Sequence, residues 1–189
     1  MKIYLTDQSK KFPQHLEFLK MQPVMKYDSL SLIEKITIIE INTTSEFWDL
    51  NTDFFFNYAI FPENIITCLT QWTFEKRQMQ IGDTIVQQAF IPPIKGWSQK
   101  IIFGVRINNI INESTRIGFS YETLNGHVEK GISTFTIEKT SDKKTIFKIH
   151  TFSKPGNLLT RSAGPIFSLP YQKYCTTQAL ANVKRKLES

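Results

Sequence analysis

Four runs rich in Ile, Val, Phe, Thr and Tyr crowd the stretch from Lys100 to Phe152. They are Lys100 to Ile111, Arg116 to Leu124, Val128 to Lys139 and Thr145 to Phe152. Each has the length and composition of a β-strand, and only short polar turns lie between them. Strands joined that tightly pair antiparallel with their neighbours in sequence. The middle joint, Asn125-Gly126, is the strongest short hairpin signal, because a type I′ loop needs positive φ at both positions. An earlier run, Thr84 to Ile91, is entered by the turn Gly82-Asp83. Pro92-Pro93 stops it, since proline lacks the ladder's N–H donor.

After Ser153-Lys154-Pro155-Gly156-Asn157 the pattern changes. From Leu169 to Leu187, Tyr171, Cys175, Ala179, Val183 and Leu187 recur every four residues, and Tyr174 and Leu180 widen the stripe. That is a helix with one apolar face, and the unpaired partner for it is the inner face of the sheet. Upstream, aromatic Asp53 to Ile60 reads as a strand. Pro62 then opens a helix that carries Ile65, Ile66, Cys68, Leu69, Trp72 and Thr73 and ends near Arg77. Within the first fifty residues, Phe12 to Met21 and Ser29 to Lys35 read as short helices and Ile36 to Ile41 as a strand. The expected fold class is α+β: a curved antiparallel sheet of about six to seven strands wrapped on a long C-terminal helix. Residues 1–50 form an extension on a domain spanning 51–189.

Composition narrows the function classes. A chain of 189 residues is one domain in size and can bury about 70% of its unfolded surface. Fifteen Phe, six Tyr and three Trp make 13% of it aromatic, enough for a Phe-rich core or for rings lining an apolar cavity. The net charge of +6 is scattered. The tight basic runs are Lys10-Lys11, Lys143-Lys144 and Lys184-Arg185-Lys186, so no nucleic-acid partner is expected. Two cysteines, Cys68 and Cys175, make no disulfide framework and suit a cytoplasmic chain. The N-terminus turns polar at once, and no stretch approaches the ~18 apolar residues of a membrane span. No cofactor-binding motif is present, and no metal-ligand spacing.

The hairpin carries the densest polar cluster. A two-residue loop pairs Leu124 with His127, sets Glu122 against Glu129 and sets Tyr121 against Lys130. Alternation then gathers Ser120, Glu122, Leu124, His127, Glu129 and Ser133 on one face. Phe119, Tyr121, Thr123, Val128 and Ile132 fall on the other. Opposed carboxylates repel, so they call for water or a bridging His127. The readings that follow are a solvated tip and an acid–base pair, the latter with Tyr121 across the sheet from it. Arg161, in Arg161-Ser162-Ala163-Gly164-Pro165, reads as part of a connection or as a cation at a cavity mouth.

The run Phe119-x-Tyr121-x-Thr123-Leu124-x-Gly126-His127-x-Glu129-x-Gly131, followed by Phe135, resembles the signature of an uncharacterised bacterial and plant family. That family is labelled domain of unknown function nineteen-ninety. Ser153-x-Pro155, Arg161-x-Ala163-Gly164-Pro165 and Gln172 fit it as well, as do Trp72 and Gly82-Asp83 upstream. The resemblance covers about residues 53 to 187. The family is similar to the START and birch-pollen-allergen superfamily of helix-grip folds. The resemblance implies a cavity between sheet and C-terminal helix for a small apolar or amphipathic molecule, with Tyr121, Thr123, His127, Glu129 and Arg161 as ligand-binding residues. It implies no reaction. The alternatives are an enzyme using His127 and Glu129 as acid and base with Tyr121 orienting, or a protein–protein interaction module.

Overall fold

The computed structural model describes residues 2–91, 98–155 and 158–189, with side chains at 3–91, 98–154 and 171–189. Among the described residues eight strands form one antiparallel sheet: β1 (Lys2–Tyr4), β2 (Ile33–Ile41), β3 (Ile66–Thr70), β4 (Thr84–Ile91), β5 (Gln99–Glu113), β6 (Arg116–Thr123), β7 (Glu129–Lys139) and β8 (Thr145–Pro155). The order across the sheet is β2-β8-β7-β6-β5-β4-β3, with β1 beside β5. The strands from β4 to β8 lie where the composition of the runs and the turns between them place them. The helix α4 (Leu158–Leu187) follows β8. It begins at Leu158 rather than Leu169, so the expected connection through Arg161 to Pro165 lies within its span.

The inner face of the sheet grips α4. Ile85, Val105, Ile107, Phe119, Phe135 and Phe147 form one core with Ala179, Leu180, Val183 and Leu187 of the helix. The stripe with a period of four is therefore the buried face of α4, although Tyr174 lies 40% exposed beside it. On the outer face, helix α1 (Phe12–Lys20) sets Phe12, Leu16 and Leu19 against Val86, Ile102 and Leu124. Each such side chain contributes about 1.5–3 kcal/mol on burial. Arg106 Nη2 reaches from β5 to the carbonyls of Leu19 and Lys20 at 3.2 and 2.8 Å. It thus bonds carbonyls of the last turn of α1, sharing Leu19 O with Gln22 N–H.

Three segments depart from the sequence reading. Asp53 to Ile60 is not a strand but one helical turn, α2 (Asp53–Phe56), closed by a Schellman-type cap. Tyr58 N–H donates to Phe55 O at 3.0 Å and Ala59 N–H to Phe54 O at 2.8 Å. This cap puts Tyr58 in the left-handed region, with φ of 61°. The expected helix after Pro62 is a single turn, in which Ile65 and Ile66 donate to Pro62 O. Strand β3 takes over at Ile66, and one more helical turn follows, α3 (Gln71–Phe74). The apolar spacing arises because Cys68 and Thr70 face inward, Leu69 faces outward and Trp72 sits in the next turn. In a run this short, a strand joined to a turn mimics the helical period. Near Ser29 the expected helix shrinks to three residues capped by Asp28, and β2 begins at Ile33.

Candidate functional site

Asn125-Gly126 forms a turn, though not the expected type I′ turn, since positive φ is found at Gly126 and not at Asn125. His127 N–H donates to Leu124 O at 3.0 Å, and Gly126 has φ of 90°. The ladder beyond it does not follow the two-residue register. Glu122 opposes Ile132 and Tyr121 opposes Ser133, a slip of three residues from the expected pairing. Val128, Glu129 and Lys130 form the surplus; of these, Glu129 and Lys130 pair with Pro155 and Lys154 on β8. Three is odd, and an odd slip moves one strand's side chains to the opposite face relative to its partner. Glu122 therefore does not meet Glu129. It stands on the outer face, where Tyr27 Oη donates to its carboxylate at 2.5 Å. Glu129 stands on the inner face with Tyr121.

Two residues enforce the slip. Thr123 Oγ1 accepts from Gly131 N–H at 3.1 Å and donates to Gly131 O at 3.4 Å, replacing a ladder rung with a side chain. Gly131 has φ of +150°, and a Cβ there would stand 1.9 Å from Phe152 O. His127 secures the surplus loop. Its Nδ1 accepts from Glu129 N–H at 3.0 Å, and its ring meets Phe103 edge-on at 4.4 Å between centroids. Burial pushes its imidazole down to about 4. The ring is thus neutral at neutral pH, with its Nδ1 committed to the main chain of Glu129.

The inner face at this end mixes two chemistries. Ala89, Ile101 and Phe103, with Ile66, Ile91 and Val128 against them, make an apolar strip. Beside it runs a buried polar group. Gln87 Nε2 donates to Tyr58 Oη at 2.6 Å, and the Tyr58 and Tyr121 rings meet edge to face at 6.1 Å. Burial, joined by the neighbouring Tyr121, holds the Tyr58 hydroxyl well above its ordinary range. Burial raises Tyr121 too, against hydrogen bonding from Tyr58 and Ser133. Half-buried Glu129 closes the group. Burial pushes its carboxyl up to about 7, and Lys35 and Ser153 pull the other way. Tyr171 Oη of α4 reaches Phe90 O at 2.8 Å, which ties the helix to this end of β4. Burial pushes the thiols of Cys68 and Cys175 up to about 11, so both stay protonated and weakly nucleophilic. Together these side chains offer neutral hydrogen-bonding groups next to an apolar wall.

A family model described as "Domain of unknown function (DUF1990)" matches residues 38–182. The chain belongs to this family. The DUF1990 match begins inside β2 and ends inside α4. No curated protein matches the chain. Among solved structures, ginseng major latex-like protein 151 from Panax ginseng is similar at 11% identity and a TM-score of 0.53, over 82% of this chain and 97% of that one. Another of its crystal forms gives 0.50 over 84% and 99%. A hypothetical protein from Helicobacter pylori is 6% identical, with a TM-score of 0.48, over 80% and 86%. The ginseng likeness shows the helix-grip fold.

Of the residues expected to bind a ligand, the DUF1990 fold brings Tyr121 and Glu129 together on the inner face. Thr123 and His127 lie beside them with their hydrogen bonds committed to the hairpin. Arg161 lies outside the described side chains. Tyr58 and Gln87 belong to the same group and carry no signal in the linear sequence. Among the described residues no cluster of three His, Cys, Asp or Glu stands ready for a metal. No described helix is long and apolar enough to cross a membrane.

Proposed function

We propose that this DUF1990 chain holds a small apolar or amphipathic molecule at the end of the grip marked by Gln87, Tyr58, Tyr121 and Glu129. The carrying observation is chemical. A protein core stabilised only by packing has no use for an amide, two phenols and a carboxyl titrating near 7 on one inner face. Buried polar groups cost free energy unless each is paired. A ligand site is where such groups repay that cost, since pockets are mostly apolar with a few convergent polar atoms. The apolar strip from Ile66 to Val128 would take the ligand's hydrocarbon body, and the hydroxyl and amide group its polar atom. The helix-grip fold supports this reading, and a cytoplasmic location goes with it.

Native mass spectrometry of the purified protein, with solvent extraction, tests the reading. A co-purified small molecule is expected. Saturable binding of the fluorophore 1-anilinonaphthalene-8-sulfonate, displaced by dodecanol and weakened by Tyr121→Ala, is expected as well. An empty protein with no saturable probe binding sinks the proposal. A second reading makes Glu129 an acid or base toward that ligand, since its carboxyl titrates near neutrality. His127, neutral and bonded to main chain, would then position the loop that carries Glu129. Loss of turnover with retained probe binding in Glu129→Gln would favour this second reading.

A further inference from the structure

The two edges of the sheet are treated differently. β3 is five residues long, half-buried over its first four and buried at Thr70. β2 is nine residues long, its register with β8 runs without a bulge, and it holds neither Pro nor Gly. Ile33 is 69% exposed, Ile36 and Ile38 are each 52% exposed, and Leu30 just upstream is 94% exposed. Among the described residues no strand pairs with the outer edge of β2. Long, regular, apolar edges are those that other strands join, and proteins commonly shorten, bend or charge them to prevent it.

We propose that β2 pairs antiparallel with β2 of a second copy of this chain, about a two-fold axis through Ile36, so that two sheets continue as one. The register follows from symmetry and charge. A two-fold axis normal to the sheet keeps both inner faces on one side, so each residue opposes one of its own face. Centred on Lys35, the pairing sets that lysine against itself. Centred on Thr37, it sets Glu34 against Glu40 twice. It also needs an edge already used, because Lys184 Nζ of α4 donates to Glu40 O at 3.0 Å. Centred on Ile38, the pairing runs past Glu40 as well.

Centred on Ile36, it pairs Ile36 with Ile36, Ile33 with Ile39, Glu34 with Ile38 and Lys35 with Thr37. No like charges meet, and the ladder stops one residue short of Glu40. Glu34 keeps its own partner, His150, at 2.8 Å. The contact spans Ile33 to Ile39, roughly 24 Å of strand at ~3.4 Å per residue. An interface this small gives a weak dimer, with a dissociation constant expected in the micromolar range.

Sedimentation velocity on the full chain at roughly 5 to 500 μM brackets that range. A monomer giving way to a dimer is expected. Ile36→Lys sets two lysines face to face at the axis and should leave a monomer at every concentration. Its melting curve and circular dichroism should stay those of the wild type, because the side chain is half-exposed. Ile36→Cys should form an intermolecular disulfide under mild oxidation, while Thr37→Cys should not. The two Thr37 positions lie two residues apart along the strand, about 7 Å, in addition to the interstrand gap. Wild-type protein under the same oxidant controls for Cys68 and Cys175. A monomer at all concentrations overturns the proposal and leaves the edge to an extended peptide of another protein. So does a dimer that survives Ile36→Lys, or a crosslink through Thr37→Cys in place of Ile36→Cys.

Discussion

Glu129 and His127 sit two residues apart in one loop, and the fold displaces them in opposite directions. Burial lifts the Glu129 carboxyl from 4.5 to about 7 and lowers the His127 imidazole from 6.5 to about 4. Proton linkage turns each displacement into a slope of stability against pH. For Glu129 the folded value is the raised one, so the folded chain holds the proton more tightly between pH 4.5 and 7. Stability therefore falls as pH rises through that window. For His127 the folded value is depressed, so the unfolded chain takes the proton first between pH 6.5 and 4. Stability therefore falls as pH drops. Each full displacement is worth about 3 kcal/mol at ~1.4 kcal/mol per pH unit. Glu129 is only half-buried, and water screening leaves about 2 kcal/mol for it.

From pH 4.5 to 6.5 the two slopes oppose each other in the wild type, and single variants separate them. Glu129→Gln should match the wild type near pH 4.5 and exceed it by about 2 kcal/mol at pH 7.5. His127→Asn keeps an acceptor for Glu129 N–H. It should gain on the wild type by about 2–3 kcal/mol as pH falls from 7.5 to 4.5. Urea denaturation at four pH values, compared pairwise with the wild type, cancels every other titrating group. Differences that are flat in pH, or that slope the same way for both variants, would refute the burial of these groups.

The remaining tests concern how the site is held. Tyr58→Phe leaves the Gln87 amide without its 2.6 Å partner and should cost about 1–3 kcal/mol by chemical denaturation. Gly131→Ala forces a Cβ against Phe152 O and a side chain into positive φ. A loss above about 3 kcal/mol, or no soluble protein, is expected on expression and melting. Arg106→Met keeps the stem but removes the donor to Leu19 O and Lys20 O. It should cost about 1–3 kcal/mol, with hydrogen exchange quickening in α1 before the rest of the chain.

The sheet was legible wherever strands met through short turns. Lys100 to Phe152 reads as strands because its β-branched and aromatic runs are separated by short polar turns, even though β5 and β6 bury residues on both faces. The segment from Asp53 to Thr73 was not legible, because its apolar residues serve a helical turn, a strand and another turn within about twenty positions. No single period describes such a mixture. The hairpin shows a subtler limit. Asn125-Gly126 makes a turn, yet with positive φ at Gly126 and not at Asn125 it is not the I′ turn that would set a tight register. The next rung was decided by Thr123 and Gly131, residues eight apart, through a side-chain bond that propensity does not register. Tyr121 and Glu129, expected on opposite faces, stand on one face for that reason.

Tyr58 is the part of the site that no pattern could reveal, and its backbone says most about why it is there. A residue other than glycine in the left-handed region costs about 1–2 kcal/mol, and glycine at the α2 cap would avoid the cost. Tyr58 instead holds φ of 61° while only 2% exposed. Ring burial alone is worth about 1.5–3 kcal/mol, so it offsets the backbone strain with little margin. A phenylalanine would gain as much from burial and would leave no phenol to pair. The hydroxyl is thus the feature that packing does not require, and it points at Gln87, itself a buried amide where a valine would pack. If the pair served only the fold, a Tyr58→Phe, Gln87→Leu double variant would be as stable as the wild type or more so, and would bind the fluorescent probe unchanged. If the pair holds the polar atom of a ligand, the same double variant keeps its stability and loses dodecanol displacement.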